Sequence, residues 1–300
     1  MSRSRRGLWL YPLFQIPLML LGACIVVTAL IWLLGLGRPP VAVAIALDLS
    51  SSTYSTEFNA PGTVMYQEVA AVRSYLQQNT QQLRNKNQIQ VLGFGGVVRS
   101  LTGDFKTDSQ QVDAELTQAL ANPDLPQLVA NNTTDINLAI QKGTEALGTI
   151  QQKRCRELLL VTDGGANVSS DIVTDARNRK VRINTVVVGA ESPELRGAAL
   201  ATGGIYLSGQ QNNLEMLFTD TFFTRFNSNL KWLILGLGVT WIALMWTLVL
   251  PLDRWLFQGL IGLNRSLSGQ LSLSNALFWS VLTPLIVWQL FNLLDIVVRC

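Results

Sequence analysis

A chain of 300 residues with 48% hydrophobic and 14% charged residues is too apolar for a plain soluble domain, and its net charge of +3 offers no basic surface to nucleic acid. It contains no histidine, which excludes histidine triads, histidine general bases and the common zinc sites. Its three cysteines, Cys24, Cys155 and Cys300, are far apart in sequence; only Cys155 falls in the soluble middle, where it reads as an inert small residue, and no disulfide framework is expected.

The apolar residues cluster at the two ends, around a middle of ordinary soluble composition long enough for one full core. Met1 to Arg6 carries three arginines, followed by an apolar run to Gly37 in which Pro17 to Leu36 suffices to cross a bilayer. The run is too long for a cleaved signal peptide and reads as a signal anchor, so residues 1–40 are assigned to a cytoplasmic amino terminus and first span. The arginines place the amino terminus inside and the middle domain, residues 41–228, outside the cytoplasm.

In that domain Val41 to Asp48 is a continuous apolar run, as expected of a strand buried on both faces of a parallel sheet. Gly62 to Leu83 has helical periodicity, with Val64, Val69, Val72, Leu76 and Leu83 on or near one stripe. Ile89 to Phe94 is a second strand, and Gly95-Gly96 turns it into Val97 to Leu101, an antiparallel edge strand. Helices are predicted over Gln110 to Leu120 and Asp135 to Ile150, with Asn122-Pro123-Asp124 as a breaker between them. Glu157 to Thr162 is the most hydrophobic internal strand and delivers Asp163 at its carboxyl end. A helix over Asp171 to Lys180, a strand over Ile183 to Val188, a helix over Glu194 to Ala201, a strand over Ile205 to Leu207 and a helix from Asn213 to Phe226 complete the alternation. The pattern is that of an α/β fold with a doubly wound, mostly parallel sheet and one antiparallel edge strand, flanked by transmembrane helices.

The chain returns to the membrane at Lys231. Residues 229–252 form a second span, 253–275 a cytoplasmic, interfacial loop with Arg254 and Arg265, and 276–300 a third span. Those two arginines agree with the amino-terminal ones on orientation. In the third span Gln289, Asn292 and Asp295 recur at a spacing of three along one helix face, which suits interfacial placement as well as a partner helix; Pro284 is a candidate kink.

The chemistry-bearing stretch is Asp48-Leu49-Ser50-Ser51-Ser52, arriving straight off the first strand. A carboxylate and hydroxyls two and four residues on are the ligand types a hard divalent cation prefers. Ligands of an open parallel sheet bind outside the carboxyl ends of its strands, where Asp48 and Asp163 both arrive, and the helix start Thr133-Thr134-Asp135-Ile136 supplies a third loop.

These three stretches, in this order, resemble the metal-ion-dependent adhesion site of von Willebrand factor A domains, over residues from about Val41 to Gln210. The match consists of Asp-x-Ser-x-Ser at Asp48, Ser50 and Ser52, Thr-Asp-Ile-x-x-Ala-Ile beginning at Thr134, and Leu-Val-Thr-Asp-Gly with Asp163. The resemblance implies a metal set of Asp48, Ser50, Ser52, Thr134 and Asp163, holding Mg²⁺, with Mn²⁺ or Ca²⁺ as other hard cations of the same chemistry. It also implies a protein partner whose Asp or Glu carboxylate completes the coordination. Thr53 stands where the family has methionine, a change expected to cost little because the position is not a ligand. Asn132 and Thr133 stand where the family has glycines, which leaves the register of Thr133 against Thr134 open.

A domain of this kind between terminal spans is similar to Bat-type, aerotolerance-related bacterial membrane proteins, which implies a MoxR-type ATPase or other membrane subunits as associates. The expected role is a non-enzymatic scaffold or assembly module. Two alternatives stand beside it: a Mg²⁺-dependent phosphohydrolase using Asp48, and a subunit of a membrane transport or channel complex. Against the first, the position two after Asp48, where such phosphatases place a general acid, is Ser50. The short linker from Leu36 to Val41 starts the first strand near the membrane and is expected to direct its Asp48 end away from it.

Overall fold

The computed structural model describes residues 7–53, 60–130, 133–150, 154–164, 167–189, 191–210 and 213–294. They divide into two compact units, one comprising residues 39–227 and the other residues 7–38 and 228–294.

The first unit is built on six strands: β1 (Val41–Asp48), β2 (Gln88–Phe94), β3 (Val98–Ser100), β4 (Cys155–Thr162), β5 (Val181–Val188) and β6 (Tyr206–Gly209). Their order in the sheet is β3-β2-β1-β4-β5-β6. All neighbours are parallel except β3, which pairs antiparallel with β2 at the edge. The strands are joined through α2 (Val64–Gln82), α3 (Ser109–Leu120), α4 (Leu125–Ala130), α5 (Ile136–Gly148), α6 (Ser170–Asn178) and α7 (Pro193–Thr202), and α8 spans residues 214–226. The label α1 belongs to the apolar helix Pro12–Leu34 of the other unit.

β1 lies at the centre, and its alternation of large and small residues sets the two layers. Val41, Val43, Ile45 and Leu47 pack with Met65, Val69, Val72 and Tyr75 of α2 and with Phe218 and Phe222 of α8. Ala42, Ala44 and Ala46 face the other way, toward Ile136, Ala139 and Ile140 of α5. On that side α5 comes so close to the sheet that a Cβ on Gly143 would lie 2.4 Å from Leu158 Cδ1. β1 pairs with β2 on one side and β4 on the other, so the strand order reverses there. A crevice between the carboxyl ends of β1 and β4 is where such a sheet receives ligands.

The soluble elements follow the sequence pattern to within a few residues, with one addition. The short helix α4 lies just past the Asn122-Pro123-Asp124 breaker, where Asn122 Oδ1 accepts from the Asp124 amide at 3.0 Å and begins a new turn. Cys155 is not an inert thiol: it is disulfide-bonded, while Cys24 is free.

In the second unit, α1, α9 (Leu230–Leu260) and α10 (Arg265–Leu293) are each long and apolar enough to cross a membrane. Between α9 and α10, Trp246 Nε1 donates to Ser280 Oγ at 3.0 Å and the rings of Trp241 and Trp279 meet edge to face at 5.3 Å. The loop expected over 253–275 is corrected. α9 continues through Asp253 and Arg254, α10 already starts at Arg265, and the connection shrinks to residues 261–264. Gly262 takes a left-handed φ of +77° there, and Asn264 caps α10 by accepting from the Leu267 amide. Pro284 lies inside α10; Asp295, the last member of the polar face, is outside the described residues.

Candidate metal site

β1 ends on Asp48 and β4 on Thr162, side by side, so the loops that follow them share one crevice. The Asp48 carboxylate is fully buried and held from three directions. Its Oδ1 accepts from the Ser50 amide at 3.0 Å and from Ser50 Oγ at 2.5 Å, and its Oδ2 accepts from Thr162 Oγ1 at 2.7 Å. Ser50 Oγ in turn lies 3.0 Å from Ser52 Oγ, and Ser52 Oγ donates to Asp163 Oδ1 at 3.0 Å. Asp48, Ser50, Ser52 and Asp163 therefore form one continuous chain of oxygens from buried to exposed.

That chain is short of protons. Each serine hydroxyl carries one. With both carboxylates ionised, the contacts Asp48–Ser50, Ser50–Ser52 and Ser52–Asp163 offer three places for two protons. One contact then brings lone pairs face to face, an arrangement a cation relieves. The donors are all hard oxygens and include two carboxylates, which fits a hard divalent cation. Among the described residues no three His, Cys, Asp or Glu side chains lie close enough together to hold a metal by themselves, so binding here depends on the hydroxyls.

Thr134 is exposed, and among the described residues no hydrogen bond joins it to the other four predicted residues. Its position is nevertheless set by the residues that follow it. The Asp135 amide donates to Gly95 O at 2.7 Å, and Asp135 Oδ1 caps α5 by accepting from the Leu138 amide at 2.9 Å. Asn137 then bridges to the third loop, donating to Asn167 O at 2.7 Å and accepting from the Ser169 amide at 2.9 Å.

Thr53, expected to matter little, is 1% exposed and shapes the first loop. Its hydroxyl lies 2.9 Å from both Asp48 O and Ser50 O, and its carbonyl accepts from the Met65 amide at the start of α2. Ser50 and Ser52 are thereby curled back over Asp48. Thr162, Asn137 and Thr53 do not stand out in the sequence because each works through a hydroxyl or amide bond whose partner no spacing identifies.

Glu68 is a fourth such residue, and here a signal exists: it lies four residues after Val64 and four before Val72, on the core stripe of α2. It is 0% exposed, and neither carboxylate oxygen has a hydrogen-bond partner. Burial first, then the charges of Asp48 and Asp163, hold its carboxyl well above the ordinary carboxylate range. The Asp48 peptide approaches closely enough to temper that shift without reaching hydrogen-bond geometry. Burial also raises the Asp48 carboxyl, while the bonds from Ser50 and Thr162 pull it back down.

Residues 43–166 match the family model of the von Willebrand factor type A domain. No curated protein matches the chain. Among solved structures, the chain is similar to an aerotolerance-related membrane protein from Bacteroides fragilis NCTC 9343 with multiple mutations to serines. The identity is 16% and the TM-score 0.46, over 60% of this chain and 96% of that one. It is also similar to a von Willebrand factor type A protein from Catenulispora acidiphila, at 16% identity and TM-score 0.47, over 63% of this chain and 43% of the other. A third likeness is proximal thread matrix protein 1 from the mussel byssus with a zinc-occupied MIDAS motif, at 16% identity and TM-score 0.47, over 61% and 47%. The chain spans less than half the length of the last two.

Proposed function

Residues 43–166 being a von Willebrand factor type A domain, we propose that this membrane protein is an interaction module that captures a partner through a divalent cation, Mg²⁺ foremost. The observation that carries the reading is the proton-deficient oxygen chain Asp48–Ser50–Ser52–Asp163 at the point where the strand order reverses. Asp48 and Asp163 supply the charge, Ser50 and Ser52 the hydroxyl oxygens, and Thr134, presented by the capped start of α5, a fifth oxygen. When bound, the cation supplies an electrophilic position that an Asp or Glu side chain of another protein can take. Ser52 is exposed and Asp163 half-buried, which leaves the site open to such a side chain.

The extracytoplasmic side is supported by the arginines of 1–6 and by Arg254 and Arg265, which flank the turn between α9 and α10. The disulfide at Cys155 supports the same side, since such bonds persist mainly in oxidising compartments.

Affinity capture from detergent-solubilised membranes tests the function. With Mg²⁺ present the wild type retains its partners, and chelation, Asp48→Ala or Asp163→Ala releases them. Recovery of the same partners under every condition would sink the proposal.

A further inference from the structure

Glu68 takes no part in the hydrogen-bonded oxygen chain, yet it lies beside it. It is a fully buried carboxylate with both oxygens unpartnered, set in α2 between Met65 and Val69, where an apolar side chain would complete the core. A buried polar atom without a partner in a native protein calls for an explanation, and the common ones are structural strain, a functional charge, or a water or ion. The rest of α2 is conventional: Thr63 caps it, and its buried stripe packs on β1. A strain reservoir has nothing nearby to act on. What Glu68 does lie beside is the candidate metal site: it is one turn beyond Met65, whose amide donates to Thr53 O of the first loop, and the charges of Asp48 and Asp163 act on it.

Among the described residues, Glu68, Asp48 and Asp163 do not form a group of acids that could hold one ion by themselves. Hard divalent cations, Mg²⁺ above all, keep several of their waters when protein-bound, and those waters need acceptors. Accordingly we infer that Glu68 is the outer carboxylate of the cation site. It lies behind Asp48, accepts a hydrogen bond from a cation-bound water, and raises the affinity of the site without being a ligand. Glu68 is thus a positioning residue, acting on the cation through water and through the charge it adds to those of Asp48 and Asp163. The inference rests on the metal reading proposed above and deepens it. The two acids at the ligands are backed by a third, so the cation is held before any partner arrives, and the partner's carboxylate is not needed for loading.

The test uses the full chain in detergent, titrated calorimetrically with Mg²⁺ and with Mn²⁺, for wild type, Asp48→Ala, Glu68→Gln and Glu68→Met. Melting temperature is measured for each in chelator and at saturating cation. Asp48→Ala is expected to abolish binding, and both Glu68 variants to weaken it by about 10- to 100-fold, as loss of an outer-shell partner does. Both Glu68 variants are expected to fold, since each replaces a buried carboxyl that has no hydrogen-bond partner by a side chain of similar volume, and their cation-induced rise in melting temperature shrinks. A role in packing alone would change the melting temperature in chelator but leave the titration and the cation-induced rise as in wild type, and that result overturns the inference. Wild type binding neither cation instead overturns the metal reading, and this inference with it, so the two failures are distinguishable.

Discussion

Among the described residues two glutamates are buried in the unit Pro39–Asn227, and they are treated in opposite ways. Glu157, the third residue of β4, is 1% exposed and fully served: Arg182 pairs with its Oε1 and Asn184 Nδ2 donates to its Oε2 at 2.9 Å. Glu68, behind the other end of the sheet, is equally buried and has no hydrogen-bond partner. From Glu157 to Asp163 is six residues of extended chain, about 20 Å. At one pole the fold closes its electrostatic accounts internally, and at the other it leaves them open. A satisfied buried ion pair belongs to the architecture. An unsatisfied carboxylate marks where something external is expected.

The largest effect should come from breaking the satisfied pole. Glu157→Ala removes the buried carboxylate that pairs with Arg182, whose guanidinium burial and the nearby Arg225 pull down to about 10, so that it is still charged at neutral pH. Removing one member of a buried pair costs about 3–5 kcal/mol. Urea denaturation of the detergent-solubilised protein should register that loss for Glu157→Ala, whereas Glu68→Met leaves cation-free stability unchanged or higher. The opposite order would mean that the two poles have been misread.

Next in size is a pH effect confined to the open pole. The Glu68 carboxyl is raised in the folded state relative to its ordinary 4.5, chiefly by burial. The folded protein therefore binds this proton more tightly than the unfolded chain does. The resulting stability is fully present below pH 4.5 and is lost as pH rises toward the folded value, at up to about 1.4 kcal/mol per pH step of one. Asp48, raised from 3.8, acts in the same direction. Melting temperature in chelator should fall from pH 5 toward pH 8, and Glu68→Gln should flatten that slope. A flat wild-type profile would show that Glu68 has a partner in solution.

The same contrast explains how far the sequence can be read. Strands β1 and β4 are legible because apolar runs leading into aspartate leave few other readings, and a mostly parallel sheet follows from strand–helix alternation, whereas the strand order is seen only in the fold. Asp48, Ser50 and Ser52 stand out by their spacing and Asp163 by its place at the end of an apolar strand, and the fold brings all four into one hydrogen-bonded chain. The residues that hold the loops do not stand out. Thr53 acts through bonds to backbone carbonyls of its own loop, and Asn137 through backbone groups of the third loop that approach only in the folded chain. The helical character of 253–275 is hidden for another reason: scattered leucines around Arg254 and Arg265 look interfacial, while the cap that starts α10 is a single residue, Asn264, between Leu263 and Arg265.

Thr53 provides a smaller test of how the open pole is shaped. Thr53→Val keeps the volume and removes the hydroxyl that reaches Asp48 O and Ser50 O. Loss of such a bond costs about 1 kcal/mol. The first loop then no longer curls Ser50 and Ser52 back over Asp48, so cation affinity measured by calorimetry should fall together with stability. Unchanged affinity in a destabilised variant would confine Thr53 to the fold.

Thr134→Ala should have the smallest effect on stability and the cleanest meaning. The residue is exposed and, among the described residues, makes no hydrogen bond, so the substitution belongs with surface changes of within about 0.5 kcal/mol. Its backbone is fixed independently by the Asp135 amide on Gly95 O and by the Asp135 cap of α5, so alanine leaves the loop in place. Any loss of cation affinity or of partner capture in Thr134→Ala therefore reports on the hydroxyl alone. The companion variant Thr133→Ala decides the register: if it loses affinity while Thr134→Ala does not, the ligand lies one residue earlier and the second loop meets the cation in a different turn. If neither loses affinity, the open pole is served by Asp48, Ser50, Ser52 and Asp163 without the α5 loop.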